Sequence, residues 1–257
     1  MKILVSNDDG INSIGIYQLV KELKKIGEVI VVAPQTEQSA AGHSITMKVP
    51  LRVHKHYIDD EFFGFAVNGT PADCIKMGIK NLLKEKPDIV ISGINNGSNA
   101  AINVIYSGTV SAAREAAIMD VPAIAVSVTD HNPKNFEYAA KLSARIAKLV
   151  CKNKLKTGTL LNINVPDLPE NEIKGVMLTK QGQSKWDDYY EERTDPYGGS
   201  YYWLTGNLLI QDEDFDKDQI ALKNNYASIT PIHFDLTDYE MFDEMKSWDI
   251  NSLKSND

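Results

Sequence analysis

Cysteine is scarce: Cys74 and Cys151 are the only two in 257 residues, and neither belongs to a CxxC pair. That excludes a disulfide framework and a thiolate zinc ribbon, and reads as two reduced, buried thiols. Long apolar runs are lacking too. None approaches the roughly 18 residues that span a bilayer, so no membrane partner is expected. At the amino terminus Lys2 is followed by three apolar residues before Ser6, Asn7 and two aspartates. This leaves no apolar segment for a secretory signal, and a cytoplasmic location is expected. Basic charge is in deficit, with 27 Lys and Arg against 35 Asp and Glu and a formal charge of −8. The balance argues against a nucleic-acid polymer as partner, while a local pocket for a small anion stays compatible with it. G-x-G-x-x-G, Walker A, H-E-x-x-H and G-x-S-x-G patterns are all absent, and so are internal repeats. A flavin or nicotinamide oxidoreductase is therefore a poor reading. His54, His56, His131 and His233 are scattered and compose no zinc cluster.

What is present is an ordinary globular composition, 43% hydrophobic and 24% charged. A chain of this length buries most of its apolar surface unaided. Lys2–Ser6, Glu28–Ala33, Asp88–Ser92 and Ala123–Val128 are continuous Val- and Ile-rich runs, as expected of parallel strands covered on both faces. Helical spacing appears over Ile16–Ile26, Pro71–Leu83 and Val110–Met119. Thr70 suits an N-cap, Pro71 a first turn, and Asp73 the positive end of the helix dipole. Alternating strands and helices predict an α/β fold, a Rossmann-like doubly wound and mostly parallel sheet. Beyond about residue 131, the pattern predicts a helix over Asn135–Cys151 and strands at Leu160–Val165, Lys174–Thr179 and Tyr226–Thr230. An acidic turn at Asp212–Lys217 and a closing helix over Thr237–Trp248 complete it. Gln181–Gly206 is too polar for a core and too aromatic for a linker, so it is read as an extended hairpin or arm that packs on a partner subunit, with a surface loop folded on its own subunit as the alternative. The whole of 1–257 is read as one α/β domain. Residues 1–130 are read as its site-bearing core, and 131–257 as carrying the hairpin, at about 181–206, and the closing helix.

Ligands in an open α/β sheet bind outside the carboxyl ends of its strands. Four polar clusters fall there: Asn7-Asp8-Asp9-Gly10, Pro34 to Ser39 with Gly42-His43-Ser44, Ser92 to Gly97, and Ser107-Gly108-Thr109. Adjacent carboxylates at Asp8 and Asp9 repel each other unless a cation lies between them. Hard divalent ions such as Mg²⁺ or Mn²⁺ favour such oxygen ligands. Ser107-Gly108-Thr109 opens a helix and so offers N–H groups to an anion, or simply caps it. Asn95 and Asn96, between Gly93 and Gly97, suit either metal or phosphate oxygens, and Asn-Gly is equally a common turn. For His43 a structural role and a role in substrate binding both stand open.

These blocks together resemble the SurE family of survival proteins, metal-dependent nucleoside monophosphate phosphatases. The likeness runs through Ile3–Gly10, Val32-Ala33-Pro34 to Ser39, Gly42–Thr46, Gly69–Cys74, Pro87–Asn95 and Tyr106–Val110. It continues in Asn162–Pro166, Ser228–Pro231 and the Trp186 to Trp203 stretch, covering nearly the whole chain. The resemblance implies Asp8, Asp9, Ser39 and Asn95 as ligands of one Mg²⁺ or Mn²⁺ per subunit. It implies a phosphate-binding side formed by Asn96, Gly97, Asn99, Ser107, Gly108 and Thr109. It also implies a homodimer or homotetramer with the hairpin exchanged between subunits. Two departures are visible: Ser98 where many members carry Pro, and Gln38 where many carry Arg. The second removes a positive charge from the crevice mouth and weakens any inference about substrate preference.

The expected function is a metal-dependent phosphomonoesterase acting on nucleoside 5′- and 3′-monophosphates, with short polyphosphate as a further substrate. Asp8 or Asp9 would serve as catalytic base or nucleophile. The rival is a non-catalytic nucleotide-binding module whose acidic pair merely caps a helix.

Overall fold

The continuous apolar runs become the centre of a nine-stranded sheet ordered β3-β4-β2-β1-β5-β6-β7-β11-β8 in a computed structural model that describes residues 1–248 and 250. The strands are β1 (Lys2–Ser6), β2 (Glu28–Pro34), β3 (Val53–Ile58), β4 (Glu61–Val67), β5 (Ile89–Asn96), β6 (Ala123–Val128), β7 (Thr159–Val165), β8 (Gly175–Leu178) and β11 (Tyr226–His233). From β4 through β2, β1, β5 and β6 to β7 every neighbouring pair is parallel. β3 joins β4 antiparallel at one edge, and toward the other β11 is antiparallel to β7 and carries β8, parallel to it, as the edge strand.

Side chains alternate across β1 and so divide the core. Ile3 and Val5 pack with Leu19 and Leu23 of α1 (Ile14–Leu23) and Leu142 of α5 (Glu137–Asn153). Leu4 faces the other way, with Ile75 of α2 (Pro71–Met77) and Val110 and Ala113 of α4 (Gly108–Ile118). Thr70 caps α2 and Pro71 occupies its first turn, as the sequence predicts, and Asp73 also closes a reciprocal capping box with Thr70. The helical turn that follows, Gly78–Leu82, is wider than an α-helix.

The chain leaves β1 outward in both directions, to β2 and β4 on one side and to β5, β6 and β7 on the other. The carboxyl ends of β1 and β5 therefore flank the topological switch point, where an open α/β sheet forms its crevice. Ser6 pairs with Ser92 at that end, so Asp8 and Asn95 emerge side by side. The aromatic stretch is a two-stranded antiparallel hairpin of β9 (Ser184–Thr194) and β10 (Ser200–Ile210), a few residues past the expected end. Tyr189, Tyr190, Tyr202 and Trp203 are exposed on it. The closing helix is shorter than expected, α7 (Tyr239–Met245), and buries none of its residues. Short helices α3 (Asn103–Tyr106) and α6 (Asp218–Lys223) complete the architecture. Among the described residues no helix is long and apolar enough to cross a membrane.

Candidate active site

Local chemistry holds the first loop in place. Asn7 Nδ2 donates to Gly10 O and to Ser13 Oγ, each at 2.8 Å, while Ser13 caps α1. The turn is thereby fixed with Asp8 buried and Asp9 half-buried. Thr109 donates its hydroxyl to Asp8 Oδ1, and the Asn96 N–H donates to Asp9 Oδ2 at 3.3 Å. Gln38 N–H donates to Asp8 O at 2.7 Å, tying the loop that carries Ser39 to the acidic pair.

Asn95 donates its amide Nδ2 to Gly97 O at 2.7 Å. Its carbonyl oxygen is thus the atom left to face a ligand. Asn96 Oδ1 is buried without a hydrogen-bond partner among the described residues. Gly97 sits at φ +108°, and a Cβ there would lie 3.0 Å from His131 Nδ1, so only glycine fits the turn. Ser39 donates its hydroxyl to Glu37, a carboxylate that sequence reasoning did not single out.

Burial pushes the Asp8 carboxyl upward, against the pull of the Thr109 hydroxyl and backbone N–H. Burial first, and then the negative charge of Asp8, raises Asp9 to about 7, with Glu37 adding to both. Ionising the pair is costly unless a cation compensates. Among the described residues no three His, Cys, Asp or Glu side chains form a metal cluster. Two carboxylates with a free amide oxygen and a nearby hydroxyl suit a hard ion that completes its shell with water. The donor set fits Mg²⁺ or Mn²⁺ and not zinc.

These loops open on a cleft of about 670 Å³ lined by Asp8, Ser39, Asn95, Asn96, Ser98 and Asn99, and by Ser107 at the start of α4. Trp186, Asp188 and Leu204 at the base of the hairpin form its far wall, and Trp186 Nε1 donates to Asn103 Oδ1 at 2.9 Å. The cleft thus draws on residues from both sides of position 130. Its lining includes no Lys or Arg.

The predicted phosphate residues separate on inspection. Asn96, Gly97, Asn99 and Ser107 line the cleft. Thr109 is fully buried and turned to Asp8, Gly108 packs against Asp8 and Pro71, and Ser107 Oγ caps α4 by accepting from Val110 N. His43 lies outside the cleft lining, its Nε2 2.9 Å from Glu115 Oε2. Glu115 is buried and also takes the Lys76 ammonium; burial raises its pKa, but these two partners outweigh it and the net shift is downward. The Thr109 bond to Asp8 and the Trp186 wall were missed. Neither spacing nor periodicity signals a contact between residues that far apart in the chain.

Comparisons with known proteins converge on one family. A family model described as Survival protein SurE matches residues 3–188. The chain is 45% identical over 253 residues to a 5′-nucleotidase SurE of Chlorobaculum tepidum, covering 98% of this chain and 96% of that one. It is 48% identical over 250 residues to a 5′-nucleotidase SurE of Syntrophobacter fumaroxidans, covering 97% and 100%. Its fold matches the crystal structure of the SurE protein from Aquifex aeolicus with TM-score 0.83 and 38% identity, covering 96% and 99%.

Proposed function

The chain belongs to the SurE family, and from that premise we propose that it is a nucleotidase, hydrolysing nucleoside 5′-monophosphates to nucleoside and phosphate. The observation that carries the reading is the charge of the cleft. Buried Asp8 and exposed Asp188 line it, Asp9 stands next to Asp8 just outside the lining, and no Lys or Arg lines it, so a phosphate dianion needs a divalent cation there. Asp8, Asp9 and Asn95, with Ser39 at the loop edge, would hold one Mg²⁺ or Mn²⁺ ion, and when bound it would supply Lewis-acid stabilisation of charge on the phosphoryl oxygens. Asp8 is locked by Thr109 and serves to orient. Asp9, held only by the Asn96 N–H, is the freer carboxylate and accepts the proton of the attacking water. Asn96, Asn99 and the Ser107 end of α4 meet the remaining phosphate oxygens.

At the far end, Trp186 and Leu204 supply an apolar wall for the nucleoside. A cleft of this volume accommodates a mononucleotide. The exposed aromatic face of the hairpin supports its exchange with a second copy in a homodimer or homotetramer. We further propose that 3′-monophosphates and short polyphosphate are substrates, that residues 1–257 act as one domain, and that the enzyme works in the cytoplasm.

A panel of mononucleotides and p-nitrophenyl phosphate tests the reading, with each substrate's binding measured alongside. Phosphate release from AMP in preference to p-nitrophenyl phosphate is expected. Nucleotide binding without turnover would instead establish a non-catalytic binding module.

A further inference from the structure

A second cavity, of about 380 Å³, lies apart from the Asp8 cleft and shares none of its lining residues. Its walls come from α3 and α4 on one side and, on the other, from Thr179–Gln181 just after β8 and from the end of β11 with the residues that follow it. Most of its polar side chains are already engaged. Thr179 and Thr230 share a hydroxyl bond of 2.8 Å, and Gln181 donates to Ala101 O at 3.0 Å. Lys180 pairs with Asp216 at 2.7 Å, and the His233 ring sits between Thr157 O and the Asp235 N–H. The Asp235 carboxylate is taken by Thr237 and Tyr239.

Arg114 is the exception. It stands half-buried on α4, with no ion pair or hydrogen bond among the described residues, and its Nε is buried without a partner. A desolvated guanidinium without a counter-charge is costly, and such a group normally meets a planar or tetrahedral oxyanion. We propose that this cavity is a second, non-catalytic site for a small oxyanion, phosphate- or carboxylate-headed, bound through Arg114. Val104, Ile105 and Ile232 give its body an apolar bed.

Isothermal titration of the full-length, Mn²⁺-loaded protein with sulfate and, separately, succinate tests this, comparing wild type with Arg114→Met. Any binding at the metal is common to both proteins. The expected result is an additional binding class in wild type that weakens by roughly 10- to 100-fold or vanishes in Arg114→Met, and the anion that shows it identifies the headgroup class. Without added anion, Arg114→Met should melt no lower than wild type, because it loses an unpaired charge and no contact. Identical isotherms, or no second class with either anion, would overturn the proposal. So would a lower melting point for the variant, which marks Arg114 as structural. Loss of oligomeric mass on sedimentation would overturn it as well, since a carboxylate of a second copy would then be the occupant.

Discussion

Gly108→Ala is the most discriminating single perturbation of the acidic pair. A Cβ at position 108 would lie 2.8 Å from Asp8 Cβ, 2.9 Å from Asp8 Oδ2 and 3.2 Å from Pro71 Cγ. Alanine in a helix is ordinarily favoured over glycine by about 1 kcal/mol, and at the first residue of α4 the gain is no larger. Against it stands an overpacking cost of about 1–3 kcal/mol in a buried site. The clash wins because Asp8 cannot yield freely: its carboxylate is bound by Thr109 and its carbonyl by Gln38. We expect a net loss of about 1–2 kcal/mol, which lowers Tm by about 2–8 °C in a chain of this size. The larger effect is on rate. Relief requires Asp8 to move by several tenths of an ångström, and misplacement on the order of 1 Å costs about 100-fold. Steady-state hydrolysis of AMP with saturating Mn²⁺ measures kcat/KM, and calorimetry measures Tm. A variant with wild-type kcat/KM and an unchanged or higher Tm would refute the claim that the start of α4 is packed against the metal-orienting carboxylate of Asp8.

Thr109→Val removes the hydroxyl that Asp8 accepts; a buried carboxylate short of one donor costs about 1–3 kcal/mol, and kcat should fall about tenfold or more with a lowered Tm. Because Asp9 is raised to about 7 in the metal-free fold from an unfolded value near 3.8, its contribution to metal-free stability is present at low pH and declines as pH rises toward 7. Cation binding needs the ionised pair, so the Tm increment from Mn²⁺ should grow from pH 5 to 8, and a flat increment would contradict the site. Trp186→Ala should raise KM for AMP roughly 5- to 100-fold, the range of one base–aromatic stack, while p-nitrophenyl phosphate kinetics change little. Equal effects on both substrates would remove Trp186 from the nucleoside subsite.

The interior of the sheet was legible because its strands are buried on both faces, so that β1 and β6 appear as uninterrupted Val and Ile runs with the expected boundaries. β3 and β4 were not foreseen. They form the edge of the sheet, and His54, Lys55 and Glu61 face solvent there and break the apolar pattern. β5 runs on through Asn95 and Asn96, which the flanking glycines had suggested were a turn; pairing with Ser127 and Val128 of β6 overrides that local preference. At the site, the Asp8-Asp9 pair was readable because adjacent carboxylates at a strand end are chemically conspicuous. Ser39 fell in a polar strand-end cluster, but it was assigned as a metal ligand only through the family resemblance, since its loop has no regular periodicity. Trp186 appeared in the sequence as part of an aromatic arm, and only the fold of the hairpin base brings it to the cleft.

The central claim is that phosphate release depends on a divalent cation held by Asp8 and Asp9. The direct measurement is AMP hydrolysis by chelator-treated wild type and Asp9→Asn across a Mn²⁺ titration. Wild type should be inactive without metal and regain activity in a saturable manner, while Asp9→Asn should remain at least about 100-fold below it at every Mn²⁺ concentration. Metal-independent hydrolysis by wild type, or full activity in Asp9→Asn, would contradict the account.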